Sequence, residues 1–295
     1  MTRYMRIKCL FFTCLQIFAK LSCSFQVIGW VAAWLVLIGS LVGVEVVPVK
    51  PTPEEKDVTL RLIFPQPYEN KRKTPINIQL RLQGLALGIV SPFSRANEIY
   101  NSPDGQGLHV IIDDRPYFTY SHPSGMRASS EDQLLSFSVP FTLASGMHVI
   151  RCFPVRSYGE SLKGKNCFKA EIFYFQDRKR LDTLPFDRFK PYLTYNEPQG
   201  SYPAHRSDPI LLDFYLSNCS LSANGYKVKL FIDGREHSML TSWVPYYIKG
   251  LSSGKHTIRL ELLDERGQVV PGSFNVAERE IVIEPPSSSS TSTKS

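Results

Sequence analysis

The chain has 295 residues, 43% apolar and 21% charged, the balance of a globular protein with room for about two domains and too apolar for a disordered chain. Its formal charge of +7 overstates any basic face, because Arg3, Arg6, Lys8 and Lys20 border an N-terminal apolar stretch whose only acid is Glu45, and from Lys50 onward the net charge is +4. The basic clusters that remain, Lys71-Arg72-Lys73 and Arg178-Lys179-Arg180, are short and lack an aromatic platform, which argues against nucleic acid as a partner.

From Leu21 to Val44 there is no charge and Gln26 is the one strongly polar side chain, about the length of helix that crosses a hydrocarbon core. Residues 1–47 are therefore expected to form a cytoplasmic N-terminus and a transmembrane signal anchor. The run is longer than a signal-peptide core and offers poor small-x-small sites, with cleavage as the alternative. Basic residues flank only its N-terminal side, so the positive-inside rule predicts a single-pass membrane protein with its N-terminus cytoplasmic and everything after Pro48 periplasmic or extracellular. Alternating prolines at 48, 51 and 53 then predict an extended spacer over 48–56, reaching about 30 Å at ~3.1 Å per residue.

Beyond the spacer, three landmarks occur twice in the same order. Leu60–Gln66 followed by Thr74-Pro75-Ile76 returns as Leu193–Gln199 followed by Asp208-Pro209-Ile210; Ile112-Asp113-Asp114-Arg115 returns as Ile232-Asp233-Gly234-Arg235; Gly146–Arg151 returns as Gly254–Arg259. The chain is read as a duplication, with repeat 1 over 57–176, a linker over 177–189, repeat 2 over 190–284 and a disordered Ser/Thr tail over 285–295. Ile76–Leu82 and Lys255–Leu262 alternate apolar with polar residues, the period of half-buried strands. Asp233-Gly234 between two such runs marks a hairpin. About seven short strands per unit, without helical periodicity, predict an all-β protein of two sandwiches.

The succession of Pro-rich turn, strand, Ile-Asp-x-Arg hairpin and Gly-x-His-x-Ile-Arg strand resembles bacterial immunoglobulin-like (Ig-like) and fibronectin-type-III-like (FnIII-like) tandem modules. The resemblance covers both repeats and implies binding, spacing or scaffolding with no shared catalytic residues. The antibody-type Cys…Trp…Cys pattern is missing, since Trp243 is the one tryptophan beyond the anchor.

No nucleophile elbow, zincin helix or phosphate loop occurs, so the chain is read as non-catalytic and without cofactor. His148 and His256 occupy one repeat position and are expected to share a packing and hydrogen-bonding role rather than to bind metal; His109 and His122 lack ligand spacing. Cys152 and Cys167 flank the last hairpin of repeat 1. They could close a loop of about 15 residues, although simple alternation puts them on opposite faces, and two free thiols are the other reading.

The repeats differ by about 14 extra residues within Gly84–Gln106 and about 12 within Phe118–Gln133, both in repeat 1. Strand parity makes these insertions and the Arg156–Lys165 loop converge at the membrane-facing end, where Tyr100, Tyr117, Tyr120, Arg127, Arg156 and Tyr158 are the expected binding residues. Arg95, Arg127, Arg156, Lys163 and Lys165 would suit an anionic surface. The function expected is a membrane-anchored binding or scaffold protein contacting a membrane-associated protein or lipid through these loops. A carbohydrate- or small-ligand-binding module, or the accessory domain of an enzyme, is the alternative.

Overall fold

The structure, a computed structural model, describes residues 43–55, 57–121, 131–178 and 186–286. Of residues 1–47, read as the N-terminus and anchor, only 43–47 are described, and Glu45, Val46 and Val47 belong to a β-strand rather than to a helix; among the described residues no helix is long and apolar enough to cross a membrane.

Repeat 1 contains β2 (Thr59–Phe64), β3 (Asn70–Lys71), β4 (Asn77–Gln83), the short helix α1 (Arg95–Glu98), β5 (Gly107–Ile112), β6 (Phe118–Tyr120), β7 (Gln133–Ser138), β8 (Gly146–Val155) and β9 (Lys169–Phe175). They form a sheet of order β2-β4-β7 and a second of order β3-β9-β8-β5-β6, with β3 running parallel to β9. Repeat 2 contains β10 (Tyr192–Glu197), β11 (Gly200–Tyr202), β12 (Ile210–Ser217), β13 (Lys227–Ile232), β14 (Arg235–Leu240), β15 (Tyr246–Lys249), β16 (Gly254–Leu263) and β17 (Val276–Ile283). Its sheets, β10-β12-β15 and β11-β17-β16-β13-β14, repeat the same order strand for strand. The chain is thus a tandem pair of Ig/FnIII-like sandwiches. Each has its own core, around Leu60, Leu80, Leu108 and Ile150 in the first and Leu193, Leu212, Leu230 and Leu260 in the second.

The expected alternation holds in β4, where Ile78, Leu80 and Leu82 are buried between more accessible polar neighbours, and in β16, where His256, Ile258, Leu260 and Leu262 point inward. It fails in β5, β10 and most of β8 and β12, which are buried on both faces. Their outer faces meet the other sandwich.

The duplicated histidines form the same clip twice. In repeat 1 Asp113, at φ 58°, begins the hairpin turn, and its Oδ1 accepts the Val149 N–H at 2.9 Å while Oδ2 lies 2.7 Å from His148 Nδ1; His148 Nε2 is 2.8 Å from the Ala144 carbonyl. Asp233, Thr257, His256 and Ser252 reproduce it at 2.9, 2.8 and 2.9 Å. Both ring nitrogens face oxygens that can only accept, so the full set of bonds requires imidazolium. The shared hydrogen-bonding role expected of these residues is therefore what the structure contains.

Burial opposes the charge on both histidines, but the bonds to Asp113 or Asp233 and to the carbonyls outweigh it and raise their pKa above the ordinary 6.5; His256 and the Thr257 N–H lower that of Asp233 below 3.8. A raised histidine pKa stabilises fully below the unfolded value and loses that contribution as pH rises through the folded one; the lowered Asp233 value contributes above 3.8 and is lost as pH falls through the folded value. Unfolding free energy measured from pH 5 to 8 should therefore fall further in the wild type than in a His148→Gln/His256→Gln chain. Parallel profiles would show that the clips carry no charge.

Candidate functional site

The junction between the sandwiches is built by segments that local sequence gives no reason to place there. Glu45–Pro48 forms β1, which pairs antiparallel with β15 from Glu45↔Lys249 to Pro48↔Tyr246 and so becomes the fourth strand of a repeat-2 sheet. The following Pro-rich stretch, read as a spacer extending into solvent, lies instead along the junction. Thr52 N–H donates to Glu160 Oε1 at 2.9 Å and its hydroxyl to Oε2 at 2.6 Å; Glu54 accepts the Lys163 N–H at 2.9 Å; Glu55 pairs with Arg156 at 2.8 Å. Prolines hold this stretch extended, and its polar groups find buried partners within reach.

The first insertion ends at the same place. Ala96 of its helix α1 and Ile99, the extended residue that follows the helix, pack with Tyr158 of repeat 1 and with Leu211 and Tyr247 of repeat 2. Arg95 donates to Glu160, to Tyr247 Oη at 3.1 Å, to Thr52 Oγ1 at 3.2 Å and to the Lys50 carbonyl at 2.6 Å. The insertion and the Arg156–Lys165 loop do meet, through Ser91 N–H to Ser157 Oγ at 2.9 Å and Ser102 N–H to the Ser157 carbonyl at 2.8 Å. They meet against repeat 2. The role of Arg95, Arg156 and Lys163 as an anionic-surface patch is corrected accordingly, because each is paired with a carboxylate within the protein, Glu160, Glu55 and Asp213 respectively.

Deeper in the junction Asp213, fully buried on β12, takes Lys163 Nζ at 2.5 Å, Asn196 Nδ2 at 2.7 Å and the Ser161 N–H at 3.2 Å. Asn196 Oδ1 in turn lies 2.7 Å from His109 Nδ1, and burial pushes that imidazole down to about 4, keeping it neutral. An aromatic layer of Phe153, Phe168, Tyr215 and Trp243 continues the contact. Trp243, half-buried with its indole N–H on the Phe214 carbonyl at 2.9 Å, faces this layer and forms no exposed sugar-binding platform.

Beside this network a cavity of about 200 Å³ opens, and Tyr100, Tyr117, Arg156 and Tyr158, four of the six residues expected to bind, line it. Tyr120 does not; it stacks on Phe137 at 4.6 Å within repeat 1. Arg127 lies outside the described residues. The group sequence reasoning missed is Glu197, a buried carboxylate of the cavity wall that accepts Tyr117 Oη at 2.6 Å, Tyr202 Oη at 2.8 Å and the Gln199 N–H at 3.1 Å. Burial pushes its carboxyl up to about 7, and the Asp213 charge adds to the rise against the lowering by the two tyrosine bonds. Gly159, at φ 86°, makes room for it, since a Cβ there would stand 2.7 Å from Glu197 Oε1. The signal was present: Glu197-Pro198-Gln199 stands where repeat 1 has Phe64-Pro65-Gln66, an acid replacing an apolar residue at a duplicated position.

Cys152 and Cys167 are both unpaired thiols in the core of repeat 1. The β8–β9 register places Cys152 opposite Lys169, two residues past Cys167, which is why the pairing expected as possible is not formed. Burial raises the two thiols to about 12 and about 11, respectively.

No protein-family model and no curated protein matches the chain. Among solved structures it is similar to the fibronectin(III)-like modules of Clostridium thermocellum CbhA (10% identity, 77% of this chain and 94% of that one, TM-score 0.26). It is also similar to the FN1–FN3 domains of chicken CNTN1 (11%, 81% and 69%, 0.22) and to the two tandem V-type regions of VCBP3, a v-region-containing chitin binding protein (9%, 77% and 99%, 0.22). TM-scores of this size carry nothing over to this chain, whose class, a pair of Ig/FnIII-like sandwiches, rests on its own strand order.

Proposed function

We propose that this chain is a non-catalytic binding and scaffold protein, tethered to a membrane by residues 21–44 and displayed outside the cytoplasm, whose two sandwiches act as one unit. The observation that supports it is the junction: a strand contributed across it, a helix docked on it and fully buried polar groups paired through it are the features of a fixed arrangement rather than of beads on a flexible string. The tether reading rests on the uncharged apolar run and the basic residues before it. Because β1 starts at Glu45, a tether ending at Val44 passes directly into the repeat-2 sheet. The first insertion still offers a membrane-associated partner two exposed apolar side chains, Ile89 and Val90.

A reporter active only outside the cytoplasm, fused after Ser295, should give signal, and the protein should stay in the membrane fraction after a high-salt wash. Recovery of a soluble chain beginning near Leu41 to Val44 would remove the tether, and a silent reporter would reverse the orientation.

A further inference from the structure

The cavity at the junction has a chemical bias of its own. Its wall carries a carboxylate, Glu197, buried at 7% exposure, and among the described residues no lysine, arginine or histidine pairs with it. Arg156 lines the cavity but its guanidinium is directed to Glu55, the Pro53 carbonyl and Gln106, and Lys163 of the same loop is held by Asp213. His109 also lines the cavity, and there it is neutral. The rest of the wall is rich in aromatic rings. Tyr100 and Tyr202 meet edge to face at 5.7 Å and 79°, and Tyr117 is stacked on His109 at 3.5 Å.

The three donors on Glu197 are neutral O–H and N–H groups, which solvate a carboxylate without cancelling its charge. Burial leaves the Glu197 carboxyl only partly ionised near neutrality, and a cation seated beside it favours the ionised form, so charge on the acid and binding of the cation reinforce each other. Aromatic rings add to this for an organic cation through the negative quadrupole of their faces. They also favour an alkylated ammonium over a strongly hydrated metal ion. The volume of about 200 Å³ accommodates a small head group and no long chain.

We propose that the junction cavity is a binding site for a small organic ammonium ion, with Glu197 as the counter-charge and Tyr100, Tyr117 and Tyr202 as the surrounding rings. The inference rests on the reading of the chain as a binding protein only in placing a ligand in this cavity; it stands whether or not residues 21–44 cross a membrane. The ligand also touches both repeats, since Tyr100 and Tyr117 come from the first and Glu197 and Tyr202 from the second, so it would tighten the junction.

Choline and its uncharged isostere 3,3-dimethylbutan-1-ol, titrated calorimetrically into the full chain, separate charge recognition from apolar filling. Choline is expected to bind at least tenfold more tightly than the alcohol. Glu197→Gln should reduce choline affinity at least tenfold and leave the weak binding of the alcohol unchanged. Tyr100→Leu, at a half-buried ring outside the Glu197 hydrogen bonds, should weaken choline severalfold and serves as the second variant should Glu197→Gln fold poorly. Equal binding of the two ligands would reject the ammonium site while leaving a binding cavity in place. Absence of binding by either to the wild type, or choline affinity unchanged in both variants, would reject the site altogether.

Discussion

Replacing Asp213 by alanine is expected to cost about 3–5 kcal/mol of stability, the size of effect seen when one member of a buried ion pair is removed. The carboxylate has no exposed surface, and its loss leaves Lys163 Nζ, the Asn196 amide and the Ser161 N–H without their acceptor at the contact between the sandwiches. The charge left behind on Lys163 dominates the cost, because the lysine stem is held in the junction with 13% of the side chain exposed. Equilibrium urea unfolding measures it. An Asp213→Ala/Lys163→Met chain should recover most of the loss, since neither charge then remains buried, and the coupling energy from the four chains is the interaction itself. A loss below about 1 kcal/mol would place the pair in the class of solvated surface bridges.

Arg95→Ala is expected to cost about 3 kcal/mol by the same mechanism, with a different local consequence. It strands Glu160, which is buried, and removes the donors to Tyr247, Thr52 and the Lys50 carbonyl in one step. The Pro-rich segment then retains its bonds to Glu160 and the pairing of β1 with β15, but loses the guanidinium that links Lys50 and Thr52 to Tyr247. Hydrogen exchange at the Thr52 amide, protected in the wild type by Glu160 Oε1, should accelerate in the variant. Unchanged exchange would mean that β1 holds the segment without help from Arg95.

The sandwiches themselves were legible because their information is local. Alternation in Ile76–Leu82 and Lys255–Leu262, the Asp-Gly turn and the twice-repeated histidine each follow from residues close in sequence. The junction was not legible, because its contacts join residues far apart in the chain, 50 positions for Lys163 and Asp213 and 152 for Arg95 and Tyr247. Glu45-Val46-Val47-Pro48 carries no pattern that distinguishes a strand from the end of an apolar run, and what makes it a strand is the free edge of β15. The basic residues of the repeat-1 loops look like a surface patch until their carboxylate partners, distributed over 54–55, 160 and 213, are brought beside them. Two cues were available in the sequence. Asp213 interrupts the otherwise apolar Ile210–Leu216, and an acid there requires a buried partner. Apolar character on both faces, broken once by Asp213 in that run and once by Arg151 in Val149–Val155, marks strands covered on both sides, which an isolated sandwich does not need.

Two sandwiches joined through this junction are expected to unfold as one cooperative unit. Differential scanning calorimetry of the full chain, run beside Arg95→Ala, tests it most directly. The wild type is expected to give a single endotherm whose calorimetric and van't Hoff enthalpies agree, and the variant a broadened or split one. Two independent transitions in the wild type, with Arg95→Ala moving only one of them, would contradict it and reduce the junction to a contact between separately folding modules.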